Sequence, residues 1–181
     1  KTINGRYLMS YSLKLAFFLS LFFLHGVAQA DVKYFNVEVI AFKQSAPSSE
    51  VFDQTESEIE AVSRFSRATR GKKSMNSLYG RLQKSNEYRP FYYKAWKVSA
   101  KSGRMSLPIE IYDAGQKMTG WIKIQRGELI HIHADIEISP SESLDEDGLI
   151  YHLKEKRRVL YRELHYLDHP KFGMIVRVLP N

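Results

Sequence analysis

"ELIHIHADIEI", residues 128–138, is the stretch from which the fold can be read. Ile130, Ile132, Ala134, Ile136 and Ile138 alternate strictly with His131, His133, Asp135 and Glu137. A period of two is that of a β-strand, whose successive side chains point to opposite faces. One face is therefore apolar and buried and the other polar, as in an antiparallel sheet covered on one side. "RGE" at 126–128 is short enough to join this strand as a hairpin to the preceding run "MTGWIKIQ".

Working outward, the same signature recurs. "VKYFNVEVIAF" (32–42) sends Phe35, Val37, Val39 and Ala41 one way and Tyr34, Asn36, Glu38, Ile40 and Phe42 the other. "PFYYKAWKV" and "SLPIEIY" also read as strands. "LIYHLKEKRRVLYRELHYL" is open to a helical reading between Glu155 and Leu167, but "IYHLKEKRRV" alternates as a strand does, and "FGMIVRVLP" then needs a partner. Strand, turn, strand is favoured. Met75, Leu78, Tyr79 and Leu82 recur at helical spacing, which predicts a helix over about 74–85, before Pro90. The polar segment 43–73 is expected to be largely loop or mobile, and "SPSESLDEDG" (139–148) an acidic loop. The expected fold is α+β: a mostly antiparallel sheet of six or seven strands with at least one packed helix.

Residues 1–30 read as a leader. Lys14 supplies positive charge, "LAFFLSLFFLHGV" a short apolar run, and "AQA" ending at Ala30 the small residues of a signal-peptidase site. Met9 is expected to be the true start, and cleavage to leave one exported domain, 31–181. Ser20 and His25 interrupt the apolar run, which is shorter than the ~20 residues a bilayer span needs, so no stable membrane anchor is expected after cleavage. No cysteine follows it to accept a lipid. Loss of the leader removes Lys1, Arg6 and Lys14 and no acid, leaving 24 basic against 20 acidic residues, a net charge of +4. That balance suits an anionic partner such as lipid head groups or cell-wall carboxylates; export makes nucleic acid the least suitable. The absence of cysteine excludes disulfides, thiol nucleophiles and thiolate metal sites.

The chemistry-bearing residues support several readings. His131 and His133 leave one strand face together; with His165 or His169 and Asp135 or Asp168 they sketch a metal site, yet polar strand faces carry histidine routinely. No "GxSxG" elbow is present, and carboxylates such as Glu110, Asp113, Asp135 and Glu137 pair only arbitrarily. No catalytic residue, metal or cofactor is expected. In "YRPFYYKAWK" (88–97), Tyr88, Tyr92, Lys94 and Trp96 share one face and Phe91, Tyr93 and Ala95 the other. An aromatic face can stack on the C–H faces of sugars while a neighbouring lysine meets a carboxylate, although such aromatics more often pack a sheet. Trp121 carries the same two readings. Lys154, Lys156 and Arg158 would form a positive stripe on one strand, fit for anions or for discouraging edge-to-edge aggregation. In "ELHYLDHPKFG", Pro170 holds His169 extended, Gly173 is expected to supply a backbone geometry that other residues resist, and Asp168 to accept backbone N–H groups: a structural turn of Asp168, His169, Pro170 and Gly173.

The leader, "YFNVEVIAF", "KAWK", "GWIKIQRGELIHIHADIEI", the "KRRVL" run and above all "ELHYLDHPKFGMIVRVLP" together resemble the CsiV-type peptidoglycan-binding proteins of gammaproteobacteria. The resemblance implies a non-catalytic periplasmic protein that binds peptidoglycan. It further implies support for wall synthesis by a class A penicillin-binding protein, with that synthase or its lipoprotein activator as a partner. It transfers no binding residues, so the candidates remain those of the strand reading: Tyr92, Lys94, Trp96, Trp121, Lys156 and Arg158. The alternatives from other classes are an exported metal-dependent or glycan-cleaving hydrolase, and a protein-interaction module without direct wall contact.

Overall fold

The computed structural model describes residues 32–45, 54–139 and 149–181; the leader, part of the polar segment and most of the acidic loop lie outside them. Nine strands are seen among the described residues: β1 (Val32–Gln44), β2 (Thr69–Arg70), β3 (Tyr88–Lys101), β4 (Ile109–Asp113), β5 (Met118–Arg126), β6 (Ile130–Ile138), β7 (Tyr151–Val159), β8 (His165–His169) and β9 (Phe172–Pro180). One helix among the described residues, α1 (Asn76–Gln83), accompanies them. The expected single sheet of six or seven strands is in fact two antiparallel sheets, ordered β2-β3-β1-β9-β8 and β4-β5-β6-β7. Alternation reveals strands and their faces but not the sheet to which each belongs, and two-residue β2 is too short to alternate.

The sheets share one apolar core. Val37, Val39, Ala41, Val98, Val176 and Val178 of the first join Ile111, Ile122, Ile124, Ile132, Ile136 and Leu153 of the second. The odd-numbered side of β1 faces this core, as its alternation requires. Its even side is buried as well, because α1 lays Leu78, Tyr79 and Leu82 over Ile40 and Phe42. The helix is shorter than its periodicity suggested, since Ser74 and Met75 are drawn into hydrogen bonds with Glu38 before it begins.

Aromatic β3 departs from simple alternation. Ala41 pairs with Tyr92 but Phe42 pairs with Pro90, so Phe91 is an extra residue, a β-bulge. Past the bulge the faces exchange. Tyr88 does not share a face with Tyr92 as expected; it meets Phe42 edge-on at 5.2 Å on the helix side, and Phe91 packs against the main core.

The region 155–167 contains no helix. β7 runs through Val159, a turn reaches β8, and Pro170 and Lys171 link β8 to β9 as a two-residue hairpin. His169 lies inside this corner, stacked on Phe172 at 4.9 Å, and burial lowers its pKa to about 4. Two details differ from expectation. Asp168 accepts hydrogen bonds from the Tyr166 hydroxyl (2.6 Å) and the Gln44 amide (3.2 Å) rather than from backbone N–H groups. Gly173 has no positive φ. It is needed for space, because a Cβ there would lie 2.5 Å from the Tyr166 ring and 2.8 Å from Phe42 Cζ. Gly173→Ala should displace Tyr166 from its stack on Phe42 and lower stability by about 1 kcal/mol. Urea unfolding measures this, and a cost above about 3 kcal/mol would mean that the backbone, not Tyr166, resists the methyl group.

Candidate functional site

The outer face of the second sheet is a grid fixed by strand register. Across β5, β6 and β7 the rows run Thr119–Glu137–His152, Trp121–Asp135–Lys154, Lys123–His133–Lys156 and Gln125–His131–Arg158. Polar alternation in β6 implied that this face is wet, but half of it is covered. Residues 54–60 lie across it: Glu137 accepts from Gln54 Nε2 (3.1 Å), Ser57 Oγ (2.6 Å) and the Glu58 N–H (2.7 Å). Asp135 accepts from the Glu60 N–H (3.0 Å) and lies 2.6 Å from His152 Nε2. Asp135 and Glu137 are consequently buried. So is Trp121, 4% exposed, whose Nε1–H donates to the Glu60 carbonyl at 3.0 Å. Trp121 thus anchors the arm and offers no ring face to a ligand. Lys156 and Arg158 stay exposed on the open half beside His133, whose pKa is lowered by burial and by the charges of Lys156, His131 and Lys123.

The other candidates lie on β3. Tyr92 is 2% exposed and belongs to the core, where burial pushes its phenol up. Lys94 and Trp96, on the same side of the strand, reach the surface where β2 covers only part of the edge of β3. There they line a groove of about 370 Å³ with Arg70, Gly71, Lys73, Ala68 and Ala95. Of the six candidates, the structure brings only Lys94 and Trp96 together in this groove; Lys156 and Arg158 belong to the second sheet.

Local packing builds the groove. Gly71 N–H bonds to the Ala95 carbonyl at 2.9 Å, drawing the chain so close to β3 that a Cβ on Gly71 would lie 2.8 Å from the Trp96 backbone and 2.3 Å from Asn36 Oδ1. Asn36 then clamps Lys72 through its N–H and its carbonyl, each at 2.8 Å. Two residues further on, the fully buried Glu38 carboxylate accepts from the Ser74 N–H (2.7 Å), the Ser74 hydroxyl, the Met75 N–H (3.1 Å), the Tyr93 hydroxyl (2.9 Å) and Arg177 (3.2 Å). Burial alone would raise its pKa, yet these donors hold it below 4.5. Two lysines project from this frame over aromatic rings: Lys73 Nζ lies 4.5 Å from the Tyr93 centroid and Lys94 Nζ 4.9 Å from that of Tyr92. Among the described residues, no carboxylate forms an ion pair with Arg70, Lys73 or Lys94.

Arg70 and Lys73 were not among the sequence candidates. They lie in "TRGKK", inside the polar segment, and only the glycine within the basic run hinted at a close approach. The imagined metal ligands do not converge: His131 and His133 are on the outer face of the second sheet, and His169 is buried at the corner of the first. The described residues contain no group of three His, Asp or Glu arranged to hold a metal ion. None of their helices is long and apolar enough to cross a membrane.

No curated protein and no solved structure matches the chain. A protein family does: residues 12–181 match the family described as peptidoglycan-binding protein, CsiV. The match spans every strand, the basic groove and the closing hairpin, and the chain belongs to the CsiV family of peptidoglycan-binding proteins.

Proposed function

We propose that this protein is a non-catalytic periplasmic accessory factor. It holds peptidoglycan in the Arg70–Lys73–Lys94–Trp96 groove and supports wall synthesis by a class A penicillin-binding protein. The observation that carries the wall-binding part is the pairing of a partly buried indole with three cations that have no carboxylate partner among the described residues, in a chain whose family binds peptidoglycan. Peptidoglycan is a polyanion with apolar C–H faces on its sugars, so donors and a ring at one surface fit it chemically. The readings of export and of a synthase or lipoprotein-activator partner rest on the leader-like residues 1–30 and on the sequence resemblance.

Purified protein should sediment with isolated sacculi at physiological salt and release no soluble muropeptides from them. Trp96→Ala should weaken sedimentation roughly tenfold, the scale of one lost aromatic anchor. Protein that stays in the supernatant would overturn the wall-binding role. Crosslinking in cells tests the synthase: a specific adduct is expected, and its absence under conditions that trap known synthase partners would remove that half of the proposal.

A further inference from the structure

The chemistry lining the groove points to one component of the wall. Sugar hydroxyls both donate and accept hydrogen bonds, and sites that read them need acceptors as well as donors. Among the described residues, none of the side chains lining this groove supplies a carboxylate, amide or hydroxyl oxygen; its polar side chains are Arg70, Lys73 and Lys94, joined by the indole of Trp96. Guanidinium and ammonium groups donate only, and a carboxylate only accepts. The set is therefore complementary to carboxylates, with Arg70 capable of a two-point contact.

The described residues also position the cations without neutralising them. Lys94 donates to the Tyr112 carbonyl at 3.2 Å and lies over Tyr92, which fixes its ammonium group and leaves N–H donors available. Lys73 is placed by the Tyr93 ring. A ring attracts a cation by its quadrupole and leaves the net charge in place, whereas a carboxylate partner would cancel it. Anchoring by aromatic rings thus keeps two positive charges ready for an incoming anion.

We propose that the groove recognises the free carboxylates of peptidoglycan stem peptides rather than the glycan strands. This rests on the wall-binding reading above. In peptidoglycan the glycan backbone presents mainly hydroxyls and acetamides, and the stem peptides carry the carboxylates. In cross-linking, the carbonyl of the donor peptide's penultimate residue exchanges its amide bond with the terminal D-alanine for one with an amine of the acceptor peptide; the terminal D-alanine leaves with its carboxylate, so uncross-linked peptides present more of the groups that the groove fits. The protein then favours wall with free peptide ends, and Trp96 packs against the aliphatic part of the peptide.

The test compares sedimentation of the full chain with three preparations: intact sacculi, glycan strands stripped of peptides by an amidase and with the lactyl carboxylates so exposed converted to amides, and sacculi whose carboxyl groups have been converted to amides. Soluble stem peptide and poly-L-glutamate serve as competitors. Binding to intact sacculi is expected to exceed binding to stripped strands and to amidated sacculi by at least tenfold, with stem peptide competing better per carboxylate than poly-L-glutamate. The double variant Arg70→Gln, Lys94→Gln, checked for an unchanged circular dichroism spectrum and melting temperature, should lose that preference. Stripped strands that bind as well as intact sacculi would overturn the peptide assignment and leave wall binding standing. Equal competition by poly-L-glutamate would reduce the groove to general anion attraction and overturn it too. Failure to bind any preparation would overturn the wall-binding reading itself.

Discussion

Glu38→Ala should lower stability by about 3 to 5 kcal/mol, the range for removing one member of a buried, hydrogen-bonded charge pair. The carboxylate is fully buried on the helix side of β1 and collects donors from Ser74, Met75, Tyr93 and Arg177. Alanine would leave these groups without their acceptor and the guanidinium of Arg177 without its counter-charge. Against a typical total of about 5 to 15 kcal/mol, that is a large share. The pH dependence follows from the sign of the shift. The folded pKa of Glu38 is below its ordinary 4.5, so the folded state prefers the ionised form. Its contribution is complete above pH 4.5 and is lost as pH falls through the lower folded value. Urea unfolding at neutral pH and near pH 3 measures both effects: the gap between wild type and Glu38→Gln should narrow in acid. A neutral-pH loss below about 1 kcal/mol would show that the donors find water instead. Since Glu38 also holds the 71–75 turn, Glu38→Ala should release Lys73 and weaken wall binding.

Much of this architecture is legible in the sequence. Alternation gives Ile130 to Ile138 as a strand with the correct core face, the closing motif reads as a turn joining two strands, which pair as β8 and β9, and Lys154, Lys156 and Arg158 read as one face of β7. What could not be read has a common cause: alternation tells which way a side chain points, not what arrives from elsewhere to cover it. Asp135 and Glu137 look like a wet face until residues 54–60 lie on them, and Glu38 looks like a solvated acid until Ser74 and Arg177 close over it. Trp121 was the available clue, because an indole in a row of polar residues requires a lid. The bulge at Phe91 has no sequence signature, so simple alternation puts Tyr88 on the wrong face. The groove escaped for the same reason: Arg70 and Lys73 come from the polar segment, more than twenty residues before Lys94 and Trp96 along the chain, and only pairing between β2 and β3 unites them.

Asp135→Ala should have a stability cost similar in scale to that of Glu38→Ala, about 3 kcal/mol, but the opposite functional outcome. Asp135 is fully buried, with one oxygen 2.6 Å from His152 Nε2 and the other accepting from the Glu60 N–H at 3.0 Å. Lys154, 3.8 Å away and more than half exposed, adds little. The cost arises from the amide and imidazole left unsatisfied beneath residues 54–60. Hydrogen exchange should accelerate in that arm, and Trp121, losing its lid, should show red-shifted fluorescence. The groove should survive. The Ser66 N–H bonds to the Pro108 carbonyl at 2.7 Å, β2 pairs with β3, and Gly71 bonds to Ala95, so the chain is secured again before it delivers Arg70 and Lys73. Asp135→Ala should therefore keep its affinity for sacculi at temperatures where it remains folded, while Glu38→Ala loses it. Equal losses in both variants would mean that the arm and the groove move as one unit, and that Trp121 anchors the binding site as well as the fold.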